Sequence, residues 1–152
     1  MDSVNSFNYL LDHTSQVLHR QSDQVLQERL GIGMSQFKIL LLLGDDVRLS
    51  QRTIAHRLGQ TEASISRQIK MLLQKGMLAV TVNPKNRREH LIAQTPKGAR
   101  LTIAAQETLS DYHQVGFSQF SEKQQEQFAI MLQTLHAHYC PESAETHLNQ
   151  GI

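Results

Sequence analysis

The sequence has little cysteine and no long apolar run, and each absence excludes a class of protein. Its 152 residues include one cysteine, Cys140, which cannot form an intrachain disulfide, so a reducing compartment is expected. No uninterrupted apolar run, Ile39 to Leu43 included, is longer than five residues, whereas a membrane-spanning helix needs about 20. The start, Met1 to Asn5, carries an acidic residue and no basic one, so no secretory signal is predicted. We therefore expect a cytoplasmic protein without a membrane partner.

Tryptophan is absent, proline occurs three times, and 39% of the residues are hydrophobic. This composition excludes a disordered or collagen-like chain. A chain of this length can bury roughly two-thirds of the surface that its unfolded form exposes, so its core needs no disulfide framework. We predict a single domain over residues 1–152, with a polar, loose tail over residues 141–152.

Over the whole chain neither sign of charge is in clear excess, but one segment has a strong positive excess. The 15 Lys and Arg nearly balance the 14 Asp and Glu, which gives a net charge of +1. Between Arg48 and Arg100, however, eleven basic residues face two acidic ones, so this basic window carries +9 and the remainder −8. Such a field attracts polyanions, either nucleic acid or an anionic membrane face. The alternative is a solvated charged surface.

Apolar periodicity and end signals predict a mainly α-helical chain with a small β-hairpin. Apolar residues at helical spacing mark a long amphipathic helix over residues 6–30, a central second helix, two short helices, and two more after residue 95. The predicted N-caps are hydroxyl residues, namely Ser35, Ser50, Thr61, Thr95 and Ser121. The predicted helix ends are Gly31 to Gly33, Gly44, Gly59, Gly76 and Pro141. Two β-rich runs, Leu78 to Val82 and His90 to Ala93, bracket a basic turn over Asn83 to Arg88, which predicts a two-stranded wing.

Within the basic window, Ala55, Gly59 and Ile65 have the spacing of a helix-turn-helix. A small Ala lets two helices cross closely, Gly59 supplies the positive φ of the turn, and Ile65 fills the space between the helices. On the fourth helix, the residues opposite the apolar face are Ala63, Ser64, Arg67, Lys70 and Gln74. Short side chains permit close approach to a major groove, where Arg67 can reach guanine or phosphate. The alternative is that these are ordinary solvated residues, and the basic hairpin weighs against it.

Five segments between Ser35 and Gly98 carry a resemblance to a known family. They are Ser50 to Leu58, Ser64 to Arg67, Leu72 to Leu78, Asn86 to Arg88 and Thr95 to Gly98. In these segments the sequence resembles the MarR family of winged-helix transcription regulators. The resemblance implies a winged helix-turn-helix DNA-binding lobe over residues 35–98, flanked by dimerisation helices over residues 6–30 and 99–140. It also implies that the fourth helix enters the major groove and that Arg88, with Arg87 beside it, enters the minor groove.

Three positions depart from the usual pattern of that family. Asn86 stands two residues before Arg88, where Asp is usual, and an Asn offers the guanidinium only a neutral hydrogen bond, which is weaker than a charge-assisted one. Val80 replaces a residue that is often basic, and Gln94 replaces an apolar residue. We expect the first departure to affect the orientation of the wing, and none of the three to change the fold.

The candidate site residues form two sets. The DNA-binding candidates are Thr61, Ala63, Ser64, Ser66, Arg67, Lys70, Lys85, Arg87 and Arg88. The candidates for a homodimer interface are Leu10, Leu11, Phe128, Leu132, Leu135 and Tyr139, because two terminal helices cannot bury so many apolar residues alone. The predicted partners are double-stranded DNA, a second copy of the chain and a small aromatic effector, for which no residue is assigned.

No catalytic, metal or cofactor site is predicted. The sequence has no glycine-rich phosphate loop and no nucleophile elbow, so an enzyme is not expected. His136, His138 and Cys140 cannot converge on one metal ion, because His138 lies on the opposite face of a helix from the other two. The predicted function is a DNA-binding transcription repressor. Two alternatives are a winged-helix protein-interaction module and a redox- or metal-responsive regulator.

Overall fold

A computed structural model describes residues 3–44 and 46–139 of the chain, with side chains from residue 6 onward. In chain order the elements are α1 (Ser3–Leu30), α2 (Met34–Leu42), β1 (Arg48–Ser50), α3 (Gln51–Arg57), α4 (Glu62–Gln74), β2 (Leu78–Asn83), β3 (Asn86–Gln94), α5 (Pro96–Phe117) and α6 (Glu122–Tyr139). No helix in these two ranges is long and apolar enough to cross a membrane. The predicted fold class, mainly α with a small wing, is confirmed.

The helix-turn-helix forms through the predicted local contacts. Ser50 Oγ accepts a hydrogen bond from the backbone N–H of Thr53 at 3.2 Å, which caps α3. Thr61 Oγ1 accepts one from the N–H of Ser64 at 3.2 Å, which caps α4. Between the two helices, Gly59 has φ of +60°, a conformation that costs an L side chain energy but not glycine. These three predictions are confirmed.

The start of α2 differs from the prediction, and Ser35 is not its N-cap. The helix begins at Met34, and its N-cap Gly33 makes no side-chain capping bond. Instead, Asp23 on α1 accepts a hydrogen bond from the N–H of Met34 at 2.7 Å. A Cβ atom on Gly33 would lie 2.9 Å from Asp23 Oδ1 and from Gln27 Nε2. The missing side chain of Gly33 thus lets α1 approach and cap α2, a contact between distant residues that local sequence patterns do not reveal.

The wing belongs to a three-stranded antiparallel sheet, whereas the sequence predicts only two strands. The strand order is β1-β3-β2, with Arg48 of β1 opposite Ala93 of β3. Because β1 has only three residues, it is too short to show the alternation of apolar and polar residues that identifies a strand. Its partner β3 provides the hydrogen bonds that make it a strand.

The turn at the tip of the wing is shorter than predicted. It contains Pro84 and Lys85, while Asn86 to Glu89 belong to β3. Asn83 Oδ1 accepts a hydrogen bond from the N–H of Lys85 at 3.0 Å and so closes a two-residue turn. Arg87 and Arg88 therefore lie on a strand and not in the turn. Polar residues at an exposed hairpin end lack the alternation that would have predicted this strand.

The core lies among α1, α2, α3 and α4, with contributions from the sheet and α5. Its largest fully buried side chains are Leu26, Ile32, Ile39, Leu40, Leu43, Ile54, Ile65 and Leu72. On α4, Ile65, Ile69 and Leu72 are buried, as the helical pattern predicts. Packing of this face fixes the direction of the opposite face of α4.

A tight junction connects the end of α4 with the start of α5. Thr95 Oγ1 lies 2.8 Å from the carbonyl oxygen of Gly76 and 3.1 Å from the N–H of Gly98, which donates to it. A Cβ atom on Gly98 would collide with the carbonyl oxygen of Met77. The absence of a side chain at Gly98 permits this close approach.

Internal contacts divide the chain into two compact units, with the boundary between Ser110 and Asp111. In the second unit, α6 begins with the predicted capping box. Ser121 N–H donates to Gln124 Oε1 at 2.9 Å, and Gln124 N–H donates to Ser121 Oγ at 3.4 Å. None of the residues of α6 is buried. The predictions for Cys140, Pro141 and the tail over residues 141–152 fall outside the described residues.

Candidate nucleic-acid interface

The exposed face of α4 is small, polar and cationic. Its predicted DNA-binding residues Thr61, Ala63, Ser66, Arg67 and Lys70 are all exposed, and Ser64 is half-buried. Thr61 is the N-cap, so the first backbone N–H groups of α4 are close to this end of the face. Short side chains near the start and two long cations further along give a surface that can approach a polyanion closely.

The cations of this face and of the wing are free to contact a ligand. In the described part of the chain, the side chains of Arg67, Lys70 and Lys85 form no hydrogen bond or ion pair with another protein group. The same holds for the guanidinium groups of Arg87 and Arg88, all three wing cations being exposed. A phosphate or base could bind these groups without first breaking a bond within the protein. This arrangement has the chemistry of an anion-binding surface.

Two lysines of the basic window, neither of them among the DNA-binding candidates, bond to backbone carbonyl groups at helix ends. Lys75 Nζ donates to the carbonyl oxygen of Gly31, at the end of α1, at 2.6 Å. Lys97 Nζ donates to the carbonyl oxygen of Lys75 itself at 2.8 Å. Both lysines satisfy carbonyl groups at helix ends, which have no partner within the helix. They join the ends of α1 and α4 to the start of α5.

Asn86 organises the backbone of the wing. Its Oδ1 atom accepts a hydrogen bond from the N–H of Arg88 at 3.2 Å and does not contact the guanidinium group. Asn83 Nδ2 donates to the carboxylate of Glu89 at 2.6 Å across the hairpin. Successive side chains of a strand point to opposite faces, so Arg87 and Arg88 project from the two sides of the wing. The hairpin is thus held by asparagine side chains, while both arginine side chains remain free.

Gln94 is the second polar residue that departs from the family pattern, and its side chain has hydrogen-bond partners inside the fold. Its Nε2 atom donates to the carbonyl oxygen of Leu40 at 3.0 Å and to Thr102 Oγ1 at 2.6 Å. These bonds connect β3 with α2 and α5. A polar residue at this half-buried position is therefore compatible with the fold, as the sequence analysis expects.

The structure reveals two further exposed cations that the sequence analysis did not include in the site. Arg52 and Arg57 lie on α3, the first helix of the helix-turn-helix, and neither forms a bond within the described residues. Both lie in the basic window, and this is the sequence feature that could have identified them as site residues. In helix-turn-helix proteins the first helix crosses the phosphate backbone, which makes both residues candidates for phosphate contacts.

A cavity of about 320 Å³ lies beside the sheet, and none of its lining residues belongs to α4. Its lining residues are Asp46, Arg48, Ala93, Gln94, Thr95, Pro96 and Ala99. Residues 3–44 and 46–139 contain no group of three or more His, Cys, Asp or Glu side chains that could hold a metal ion. Among the described residues, no other cluster of side chains has the chemistry of a catalytic or metal-binding site.

The predicted interface residues are mostly exposed apolar side chains. On α1, Leu10 is 57% and Leu11 is 40% exposed. On α6, Phe128, Leu132 and Tyr139 are exposed and Leu135 is half-buried. The sequence analysis missed others with the same property, among them Val115, Phe120, Ile130 and Met131. Their exposure in a single chain is the signal of an unpartnered surface.

A helix-turn-helix followed by an antiparallel hairpin with free arginines defines a winged-helix protein. Residues 32–90 match the model of the MarR family. This match covers 59 of the 152 residues and agrees with the resemblance that the sequence segments carry.

Comparison with solved structures agrees with this match. MepR of Staphylococcus aureus, a transcription regulator of the multidrug efflux pump MepA, is 25% identical with a TM-score of 0.71, over 88% of this chain and 98% of that one. The MepR–DNA complex is 27% identical with a TM-score of 0.69, over 87% and 97%. CouR of Rhodococcus jostii RHA1, bound to p-coumaroyl-CoA, shares the fold at 24% identity, with a TM-score of 0.72 over 89% and 92%. A comparison with curated proteins found no match.

Proposed function

We propose that the protein is a sequence-specific, DNA-binding transcription repressor that acts in the cytoplasm. The observation that carries this proposal is the exposed face of α4, whose two cations, Arg67 and Lys70, have no partner among the described residues. The likeness to MepR, which has been solved in complex with DNA, supports the same function.

The fourth helix reads the major groove in this proposal. Ala63 and Ser66 permit close approach, and Arg67 donates to a guanine through its guanidinium group. Thr61, Ser64 and the first backbone N–H groups of α4 contact phosphate, because the N-terminal end of a helix favours negative charge. Lys70 adds a contact to the phosphate backbone.

The wing provides the second contact. Arg88 enters the adjacent minor groove, whose negative potential favours arginine, and Lys85 and Arg87 bind the flanking phosphates. The hydrogen bond between Asn86 and the N–H of Arg88 holds the backbone of the wing for this contact. The free guanidinium of Arg88 supports the assignment.

The protein acts as a homodimer on a pseudo-palindromic operator. Residues 6–30 and 99–140 supply the dimerisation helices, and residues 35–98 form the DNA-binding lobe. Each subunit presents one copy of α4, so the half-sites are centred about 10 base pairs or a multiple of that apart. The exposed apolar residues of α1 and α6 support this arrangement.

Release from DNA by a small aromatic effector completes the proposal. CouR, which shares this fold, was solved with p-coumaroyl-CoA, a ligand with an aromatic acyl group, and this supports the class of effector. No residue of this chain is assigned to effector binding.

The proposal is tested by incubating the purified protein with sheared DNA from its own genome at near-physiological salt. The retained fragments are sequenced and searched for a shared inverted repeat. We expect one enriched repeat, and the neighbouring genes then show which transcripts to measure for repression. Retention without a shared motif would contradict sequence-specific binding. Absence of retention would favour a protein-interaction module that keeps the winged-helix fold.

A further inference from the structure

A buried amide on α2 lacks one of its hydrogen bonds. Gln36 is 3% exposed, and its Oε1 atom has no partner among the described residues. Its Nε2 atom donates to the thioether sulfur of Met71 on α4 at 3.6 Å. A thioether is a weak acceptor, and buried polar groups in folded proteins are nearly always better satisfied. The contact between α2 and α4 therefore includes a hydrogen-bond donor that faces a poor acceptor.

Met71 lies at the edge of the cationic face. Its side chain is 44% exposed although its sulfur also contacts Gln36. Because Met71 follows Arg67 by four residues, the two side chains are separated by only about 40° around the helix axis. A chemical change at the Met71 sulfur would thus act between the packed side of α4 and the face proposed to bind DNA.

We propose that Met71 is a site of reversible oxidation that lowers the affinity of the protein for DNA. The effect on DNA rests on the proposed function, whereas the modification itself does not. A hydroperoxide is the oxidant. The Met71 sulfur attacks its terminal oxygen, an S–O bond forms as the O–O bond breaks, and the proton of that oxygen passes to the departing alkoxide or hydroxide. The sulfur loses two electrons, and the hydroperoxide is reduced to an alcohol or to water.

The sulfoxide changes the contact with Gln36. Its oxygen is a strong acceptor, so the Nε2 donor of Gln36 gains a partner that the thioether does not provide. The new oxygen must fit into a contact that is already closed at 3.6 Å. We expect the Met71 side chain and the adjoining turn of α4 to shift relative to α2, because the Gln36 donor now bonds to an oxygen that projects beyond the sulfur. Arg67, one helical turn away, moves with them.

Met131 is a second exposed methionine, 58% exposed in the single chain. It lies on α6, among the apolar residues proposed to form the dimer interface, so its oxidation would affect DNA binding through dimerisation and not through α4. The oligomeric state of the oxidised protein therefore separates an effect of Met131 from an effect of Met71.

The experiment treats the full-length protein with hydrogen peroxide, removes the peroxide, and locates sulfoxides by peptide mass. Every version carries Cys140→Ser, which excludes thiol oxidation. Binding to sheared genomic DNA is then compared for the parent protein, Met71→Leu and Met131→Leu, and light scattering gives the oligomeric state of each sample. The side-chain amide resonances of Gln36 are recorded without DNA in the same samples.

We expect sulfoxide at Met71, a shift of the Gln36 resonances, and a loss of DNA affinity of about five-fold or more, in the range of ordinary coupling between sites. Methionine sulfoxide reductases should restore affinity, and Met71→Leu should resist peroxide. Met131→Leu keeps an apolar side chain at the proposed interface and should still lose affinity when Met71 is oxidised, with no change of oligomeric state. Full affinity with Met71 oxidised, or an equal loss in Met71→Leu, would overturn the effect on DNA. If the untreated protein does not bind DNA, the proposed function fails. In that case the change in the contact between Met71 and Gln36 is judged from the Gln36 resonances alone, and resonances that do not shift would overturn it.

Discussion

At the scale of single residues, Arg67 and Lys85 differ in the kind of DNA contact that their positions permit. Arg67 lies between short side chains on α4, where its guanidinium can reach base edges. For Arg67→Ala we expect a loss of about 1–3 kcal/mol on the specific operator and relaxed specificity at one base position. Competition binding with the operator and with single-base variants measures both effects.

Lys85 is the matched comparison, since it lies in the turn of the wing and not on a helix face. For Lys85→Ala we expect weaker binding to all sequences and a salt slope that is smaller by about one unit, because one phosphate contact is lost. Equal losses for Arg67→Ala on the operator and on random duplex would mean that Arg67 contacts phosphate and does not read bases. Arg29→Ala, a change of an exposed cation outside the basic window, should leave binding unchanged.

At the scale of secondary-structure elements, the junction between α4 and α5 depends on the absence of a side chain at Gly98. A Cβ atom there would collide with backbone, the carbonyl oxygen of Met77, which cannot turn away as a flexible side chain can. For Gly98→Ala we expect a decrease of about 1–3 kcal/mol in the free energy of unfolding, measured by urea denaturation.

Gly116 gives the control in the same helix. A Cβ atom there meets nothing within 4 Å, and Ala is favoured over Gly within a helix. Gly116→Ala should therefore leave stability unchanged or raise it by up to about 1 kcal/mol. A neutral Gly98→Ala would show that the end of α4 can move away from α5 without cost.

The elements also show how far local sequence patterns predict structure. Ser50, Gly59 and Thr61 were predicted correctly because each acts through groups within a few residues along the chain. The cap of α2 by Asp23 and the strand β1 were missed because their partners are distant in sequence. The same limit applies to the site, where sequence supplied the cationic face of α4 but could not assign Lys75 and Lys97 to helix ends.

At the scale of the whole molecule, the exposed apolar residues of α6 are the feature that a single chain does not explain. The helix has no buried residue, yet five of its large apolar side chains are exposed in the described chain: Phe128, Ile130, Met131, Leu132 and Tyr139. Exposed apolar surface of this kind usually marks a protein interface. We therefore expect the protein to be a dimer at micromolar concentration in light scattering coupled to size exclusion.

Leu132→Asp tests this expectation, because a buried carboxylate at the interface of two subunits would lack a partner. Gln133→Asp adds the same charge at the next position, which is already polar and exposed, and it should remain dimeric. A monomeric Leu132→Asp protein should also bind the operator more weakly, since one subunit contacts only one half-site and the advantage of linked binding is lost. A monomeric parent protein would contradict the proposed dimer. A dimeric Leu132→Asp protein would place the interface away from this face of α6, and the two half-sites would then be held by other surfaces of the chain.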